Sequence, residues 1–220
     1  MLQAGLHNLR QASVRITEVS PRDGLQHESE FVPTLRKISL INALSRTGVT
    51  EIEAGSFVSP AAIPQLADSD EVLRAIDRIP GVAYSALVPN ERGLERARAA
   101  GVDKIAVFTA ASNSFTRHNI KATVQESLVR FRPIVAAAKR DGMAVRAYLS
   151  TVVFCPYEGR IAPTQVRDVM ERLLDLAVDD ISLGETVGKA SPTDIRRLLD
   201  TVLPHVEPAR LSLHFHDTYG

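Results

Sequence analysis

The sequence predicts an α/β fold, a parallel TIM-type (β/α)8 barrel of which this chain supplies the first seven strands. Three observations carry that expectation. Seven short apolar, β-branched segments recur with starts 22 to 41 residues apart, which leaves room for one helix between each pair. The stretches between them carry helix caps and stops. No Gly/Ser linker or composition break interrupts the 220 residues, so residues 1–220 read as a single barrel domain. Parallel neighbours need crossover connections, and a helix is the usual one. A doubly wound sheet is the alternative, but it calls for a glycine-rich first turn. The first turn here, Ser20-Pro21-Arg22-Asp23-Gly24, is charged instead. A barrel of this type runs to about 250 residues. The strand count is one short, and the sequence stops directly after a strand, so the eighth strand is expected beyond Gly220.

Taken in order, the expected strands are Val14–Val19, Thr50–Ala54, Val82–Leu87, Lys104–Thr109, Val145–Val152, Asp180–Leu183 and Arg210–His216. After the first, Thr34 is expected to cap a helix with Leu35, Ile38, Leu40, Ile41 and Leu44 inward, stopping at Gly48. Ser69 precedes Val72, Leu73 and Ile76, with Pro80-Gly81 as the stop. The Glu91–Arg98 charge run reads as an exposed helix face. Thr123 and Glu126 form a capping-box pattern ahead of Leu128, Phe131 and Val135, and Pro133 within that run predicts a kink or a weak helix start. Pro163-Thr164 leads into Val166, Val169, Met170 and Leu173. Ser191-Pro192, a cap followed by proline at the first helical position, opens the last helix.

Composition excludes several function classes. Lysine plus arginine and aspartate plus glutamate both number 26, so the net charge is zero and a nucleic-acid partner is not expected. Aromatics are 5% and Trp is absent, which argues against base-stacking platforms. No apolar run approaches membrane-spanning length, the N-terminus lacks a secretory layout, and Cys155 is the only cysteine. A cytoplasmic, enzyme-sized chain without a membrane partner is the expectation.

In a barrel, residues at the C-terminal strand ends line the active site. The first strand brings Arg22 and Asp23 there, the second Glu53 followed by Ser56 and Phe57, the sixth Glu185, and the seventh His214 and His216. His214 and His216 are two apart in an extended segment, so both imidazoles share one face. Two histidines and the Asp23 carboxylate make a plausible divalent-metal half-shell. Glu53 lies in an otherwise apolar strand, where an unpaired carboxylate would cost several kcal/mol, so an active-site or Arg-pairing role is expected for it. Gln26 is read evenly as a substrate contact or a brace of the turn. His118 and Lys121 read as a solvated loop rather than a phosphate contact, and Cys155 as a packing residue.

With these residues in view, the chain resembles the 3-hydroxy-3-methylglutaryl-CoA lyases, within a wider group of metal-dependent barrel lyases and synthases. The segments are Glu18-Val19-Ser20-Pro21-Arg22-Asp23-Gly24-Leu25-Gln26, Ser56-Phe57-Val58-Ser59-Pro60, Cys155-Pro156-Tyr157-Glu158-Gly159 and His214-Phe215-His216-Asp217-Thr218-Tyr219-Gly220. The resemblance implies retro-Claisen cleavage of a 3-hydroxy-3-methylglutaryl thioester to acetyl-CoA and acetoacetate, in leucine degradation and ketone-body metabolism. It implies Mg²⁺ or Mn²⁺ on Asp23, His214 and His216, and catalytic or substrate-binding roles for Arg22, Asp23, Glu53, Glu185, His214 and Gln26. Two departures stand out. Glu185 occupies a position where the family generally has Asp, and the family's catalytic cysteine and asparagine metal ligand both fall after Gly220. Three function classes follow: an acyl-CoA lyase, an acetyl-CoA-dependent synthase of the homocitrate or isopropylmalate type, or a catalytically incomplete fragment. A homo-oligomer is compatible with all three.

Overall fold

A computed structural model describes residues 14–219. Seven strands pair in parallel, and their order in the sheet is their order in the chain: β1 (Thr17–Glu18), β2 (Glu51–Ser56), β3 (Ala83–Leu87), β4 (Lys104–Ala110), β5 (Ala144–Ser150), β8 (Asp180–Glu185) and β9 (Leu211–Phe215). The gap in numbering is a small antiparallel ribbon, β6 (Phe154–Cys155) with β7 (Gly159–Arg160), which the sequence did not lead us to expect. Between the strands run α1 (Thr34–Leu44), α2 (Ser69–Ala75), α3 (Glu91–Ala99), α4 (Asn113–Ile120), α5 (Val124–Arg140), α6 (Pro163–Leu174) and α7 (Pro192–Val202).

The sheet curls, and its inner side chains prove it. Glu51, Lys104, Arg146 and Asp180 come from β2, β4, β5 and β8, yet meet at one point inside. Lys104 Nζ lies 3.0 Å from Glu51 and 2.5 Å from Asp180; Arg146 lies 2.8 Å from Glu51 and 2.5 Å from Asp180. Strands that are not neighbours can share partners this way only around a closed interior. Two residues further along the same strands stand Glu53 and Tyr148, the next interior layer. The opposite strand faces carry Ile52, Ile105, Val107, Val145, Ala147, Leu149, Ile181 and Leu183, all fully buried against the helices. That alternation is the period-two signal read in the sequence.

Several local expectations shift. Thr34 is the first helical residue rather than a cap, and its hydroxyl donates to Asp68. Ser69 also starts its helix, and Asp68 precedes it; the Ser69 hydroxyl instead accepts from Ser56 N, anchoring the end of β2. The backbone of Gly55 passes so close that a Cβ there would sit 2.8 Å from that hydroxyl. Pro133 neither starts nor ends α5, because it lies on the exposed side, where the carbonyl deprived of its donor meets water. The expected Thr123/Glu126 capping box forms, Ser191 caps its helix as expected, and Asp194 completes a second box there. His118 belongs to α4 rather than a loop, with its ring stacked 4.1 Å from Tyr157. Cys155 is buried beside Ser112. The first strand is shorter than expected: Val14 and Ile16 are exposed, and only Thr17 and Glu18 pair. Gly220, the end of the His-x-His segment, lies outside the described residues.

Candidate active site

After β1 the chain enters a wide helical turn, Ser20–Gly24, which the Glu18 carboxylate holds by accepting Ser20 N at 2.7 Å. Asp23 N donates to Val19 O at 2.7 Å, and the turn drives the Arg22 side chain inward. Arg22 is only 7% exposed. Its Nε and Nη2 both lie 2.7 Å from Glu53 Oε2, and its Nη1 donates to Asp23 Oδ1 at 2.7 Å. Tyr148 donates its hydroxyl to the same Glu53 oxygen at 3.0 Å, and its ring lies 5.4 Å from the guanidinium carbon. Glu53 is fully buried. Burial opposes the charge on Arg22, but Glu53, then Tyr148 and Asp23, hold its pKa above the usual guanidinium value. Burial, reinforced by Glu53, raises the Tyr148 phenol, so it stays a donor.

Asp23 turns its other oxygen, Oδ2, toward His214 Nε2 at 3.3 Å. The hydrogen bond from His214 holds Asp23 down at about 2; burial opposes it, and the Arg22 charge adds to it. His216, just beyond β9, lies with its ring centroid 5.1 Å from that of His214. One ligand atom each from Asp23, His214 and His216 falls within 4.8 Å of the others. His216 Nδ1 faces Glu185 O at 3.1 Å and Thr186 O at 3.0 Å, so Nε2 retains the lone pair that a metal needs. The Asp23 carboxylate, the His216 Nε2 and the His214 ring are a donor set that fits a divalent cation with open positions.

Not every expected residue joins this group. Ser56 and Phe57 are buried in packing, with Phe57 beneath the Arg96 guanidinium. Gln26 is half-buried at the end of the first turn. The Glu185 side chain shares strand parity with Ile181 and Leu183, and its Oε2 accepts from Gly188 N; its backbone carbonyl is what reaches His216. Tyr148 was missed. Its signal lay in β5, where Arg146, Tyr148 and Ser150 alternate with Val145, Ala147 and Leu149, marking an inward polar row.

The HMGL-like family profile matches residues 13–220. The chain belongs to the HMGL-like family. It is 48% identical over 207 residues to the mitochondrial hydroxymethylglutaryl-CoA lyase of Bos taurus, covering 94% of this chain and 64% of that protein. It is 47% identical to the cytoplasmic 3-hydroxy-3-methylglutaryl-CoA lyase of Mus musculus, covering 94% of this chain and 60% of that protein. The chain thus spans about three-fifths of the length of these curated relatives. Among solved structures, the HMG-CoA lyase of Brucella melitensis superposes with a TM-score of 0.93 at 50% identity, over 94% of this chain and 73% of that one. The HMG-CoA lyase of Acinetobacter baumannii, solved with coenzyme A and 3-methylmalate, gives 0.90 at 40% identity, over 94% and 68%. The carboxyl transferase domain of Rhizobium etli pyruvate carboxylase, at 15% identity and a TM-score of 0.70, shares the fold. Among the described residues, no helix of this HMGL-like chain is long and apolar enough to cross a membrane.

Proposed function

We propose that this HMGL-like chain is the catalytic domain of an acyl-CoA lyase that cleaves 3-hydroxy-3-methylglutaryl-CoA to acetyl-CoA and acetoacetate. The observation that carries the reading is Arg22, a buried guanidinium fixed by Glu53 and Asp23 beside the Asp23–His214–His216 trio. The named relatives and the coenzyme A complex of the Acinetobacter protein point to the same substrate class. The relatives' names are mitochondrial and cytoplasmic; a lone buried cysteine fits a reducing compartment, of which we propose the cytoplasm.

In the cleavage, the tertiary hydroxyl loses its proton and the carbon–carbon bond breaks. The ketone of acetoacetate forms, and the bonding pair passes into an enolate of the acetyl thioester, which takes a proton at carbon. Asp23, His214 and His216 would hold a divalent cation, Mg²⁺ or Mn²⁺, whose Lewis acidity acidifies and orients that hydroxyl. Arg22 has five N–H donors; one on Nε is given to Glu53 and one on Nη1 to Asp23, while Nη2 makes an ion-pair contact with Glu53 at 2.7 Å. One on each terminal nitrogen stays available for the enolate oxygen, on a cation that needs no rearrangement to meet it. Glu53 and Tyr148 fix the plane of that guanidinium. Asp23, held at about 2, is a poor proton acceptor at neutral pH. The hydroxyl proton goes to His214 when its ring is off the cation, since a bound imidazole nitrogen has no free lone pair; the Asp23 carboxylate, 3.3 Å from His214 Nε2, balances the imidazolium formed.

The test is incubation of the purified protein and Mg²⁺ with 3-hydroxy-3-methylglutaryl-CoA, following acetoacetate and acetyl-CoA release. Parallel reactions contain acetyl-CoA and 2-oxoglutarate or 2-oxoisovalerate. Release in the first and no free CoA in the second support the lyase; condensation without cleavage overturns it in favour of a synthase.

A further inference from the structure

His216 is aimed by backbone, and the backbone that aims it is held by side chains with no part in the reaction above. A ring nitrogen that faces two carbonyl oxygens must carry the proton, since carbonyls only accept. Both carbonyls, Glu185 O and Thr186 O, belong to the turn that leaves β8. Three bonds close that turn. Glu185 Oε2 accepts from Gly188 N at 2.5 Å, three residues on. Thr186 Oγ1 accepts from Thr151 N at 2.9 Å and donates to Gly184 O at 3.4 Å.

Two backbone features show how firmly the turn is set. Thr151 is β-branched and fully buried, yet holds φ at +58°, a conformation such residues rarely adopt. That conformation ends β5 at Ser150 and turns the Thr151 N–H onto the Thr186 hydroxyl. Gly188, with φ at +75°, lies so close to Thr218 that a Cβ would collide with it. The turn after β8 and the segment after β9, which begins with His216, are therefore packed directly against each other.

We propose that Glu185 and Thr186 are positioning residues for His216: by holding the 185–188 turn they keep its ring in the Nδ1–H tautomer and present Nε2 to the space shared with Asp23 and His214. The inference rests on the reading of that trio as a cation site, but part of its test does not. Glu185 thus acts through Gly188 and its own carbonyl, without touching the reacting atoms.

The experiment compares wild type, Glu185→Ala, Glu185→Gln and Thr186→Val. The tautomer of His216 is read from ¹⁵N-labelled rings by NMR in metal-free protein, and Mn²⁺ affinity by calorimetry. Wild type is expected to show His216 in the Nδ1–H form alone. Glu185→Ala and Thr186→Val should mix tautomers and weaken Mn²⁺ about 10- to 100-fold. Glu185→Gln keeps an oxygen to accept from Gly188 N–H and should stay near wild type in both readouts. An unchanged tautomer and unchanged affinity in Glu185→Ala overturn the proposal. So does Glu185→Gln behaving like Glu185→Ala, which would make charge, not the brace, the cause. Should Glu185→Ala fail to fold by circular dichroism, Thr186→Val decides in its place. A wild type that binds no Mn²⁺ would remove the cation reading, and the tautomer comparison would still decide the brace.

Discussion

Glu53→Ala is the sharpest test of how the site is built. It deletes the acceptor of two Arg22 contacts at 2.7 Å and one Tyr148 bond at 3.0 Å. Arg22 has side-chain exposure of 9% and Glu53 of 0%, so water cannot readily replace what is lost. Removing one partner of a buried ion pair costs about 3–5 kcal/mol, because the other charge stays buried and uncompensated. Asp23 remains as a partner for Arg22, which favours the lower end of that range, while the orphaned Tyr148 hydroxyl adds about 1 kcal/mol. The expected loss is therefore about 4 kcal/mol. With a urea slope of about 2.5 kcal/mol/M, the midpoint should fall by about 1.6 M. Glu53→Gln, which keeps the volume and an acceptor, should lose roughly half as much. The double variant Arg22→Leu/Glu53→Leu should recover much of the stability, since a buried pair is often matched by well-packed apolar residues, yet it should release no acetyl-CoA. Urea denaturation followed by circular dichroism measures all three. A Glu53→Ala midpoint indistinguishable from wild type would refute the buried-pair reasoning, and with it the claim that Arg22 is held in place by Glu53.

The remaining expectations are briefer. Arg22→Lys should lower kcat about 10²- to 10³-fold with little change in KM, because the enolate charge appears only as the bond breaks and lysine lacks the planar fork; steady-state kinetics on 3-hydroxy-3-methylglutaryl-CoA separates the two constants. Asp23→Asn should weaken Mn²⁺ binding at least 10-fold by calorimetry, and chelation should abolish wild-type turnover until Mn²⁺ or Mg²⁺ is returned. Asp194 is held from its ordinary 3.8 down to about 2, first by the hydrogen bond from Arg160 and then by Ser191. Its folded value is depressed, so its stabilising contribution is complete above about pH 4 and lost as pH falls toward 2. Asp194→Asn should accordingly flatten the acid limb of the melting temperature between about pH 4 and pH 2.

The order of the seven sheet strands and of the other helices was legible because it rests on local periods, while α4 and the β6–β7 ribbon were not expected. β2 through β5 and α5 through α7 carry their alternation, caps and stops within about twenty residues each. Element ends were harder. Ser69 reads as a cap by type, but tertiary contact with Ser56 turned its hydroxyl away from that use. Arg22, Asp23, Glu53, His214 and His216 were visible as candidates, since charged residues at apolar strand ends need a reason to be there. Tyr148 was not, because its partner Glu53 lies 95 residues away, across the interior. The setting of His216 was also hidden. Its Nδ1 partners are backbone carbonyls, and their placement depends on Thr151 and Gly188 conformations that no side-chain pattern records.

The proposed cation site is, more deeply, a product of sheet curvature. Asp23 follows the first strand in the sheet order and His214 sits in the last. Strands lie about 4.8 Å apart, so in a flat sheet of seven these two residues would be separated by about 29 Å. They stand 3.3 Å apart instead. Strand number, tilt and the register of adjacent pairs set the overall curl, though each pair tolerates a range of twist. What narrows it is the interior. Lys104 and Arg146 each bridge Glu51 and Asp180, tying β2, β4, β5 and β8 to one centre at the N-terminal ends of the strands. One layer above, Tyr148 and Arg22 tie β5 and the first turn to Glu53 in β2 in the same way. Two stacked polar layers therefore fill and brace the inside of the curl, and the curl brings the two ends of the sheet within reach of a shared ligand. Arg22 belongs to the second of these layers, so the residue assigned to the enolate also helps close the gap between Asp23 and His214.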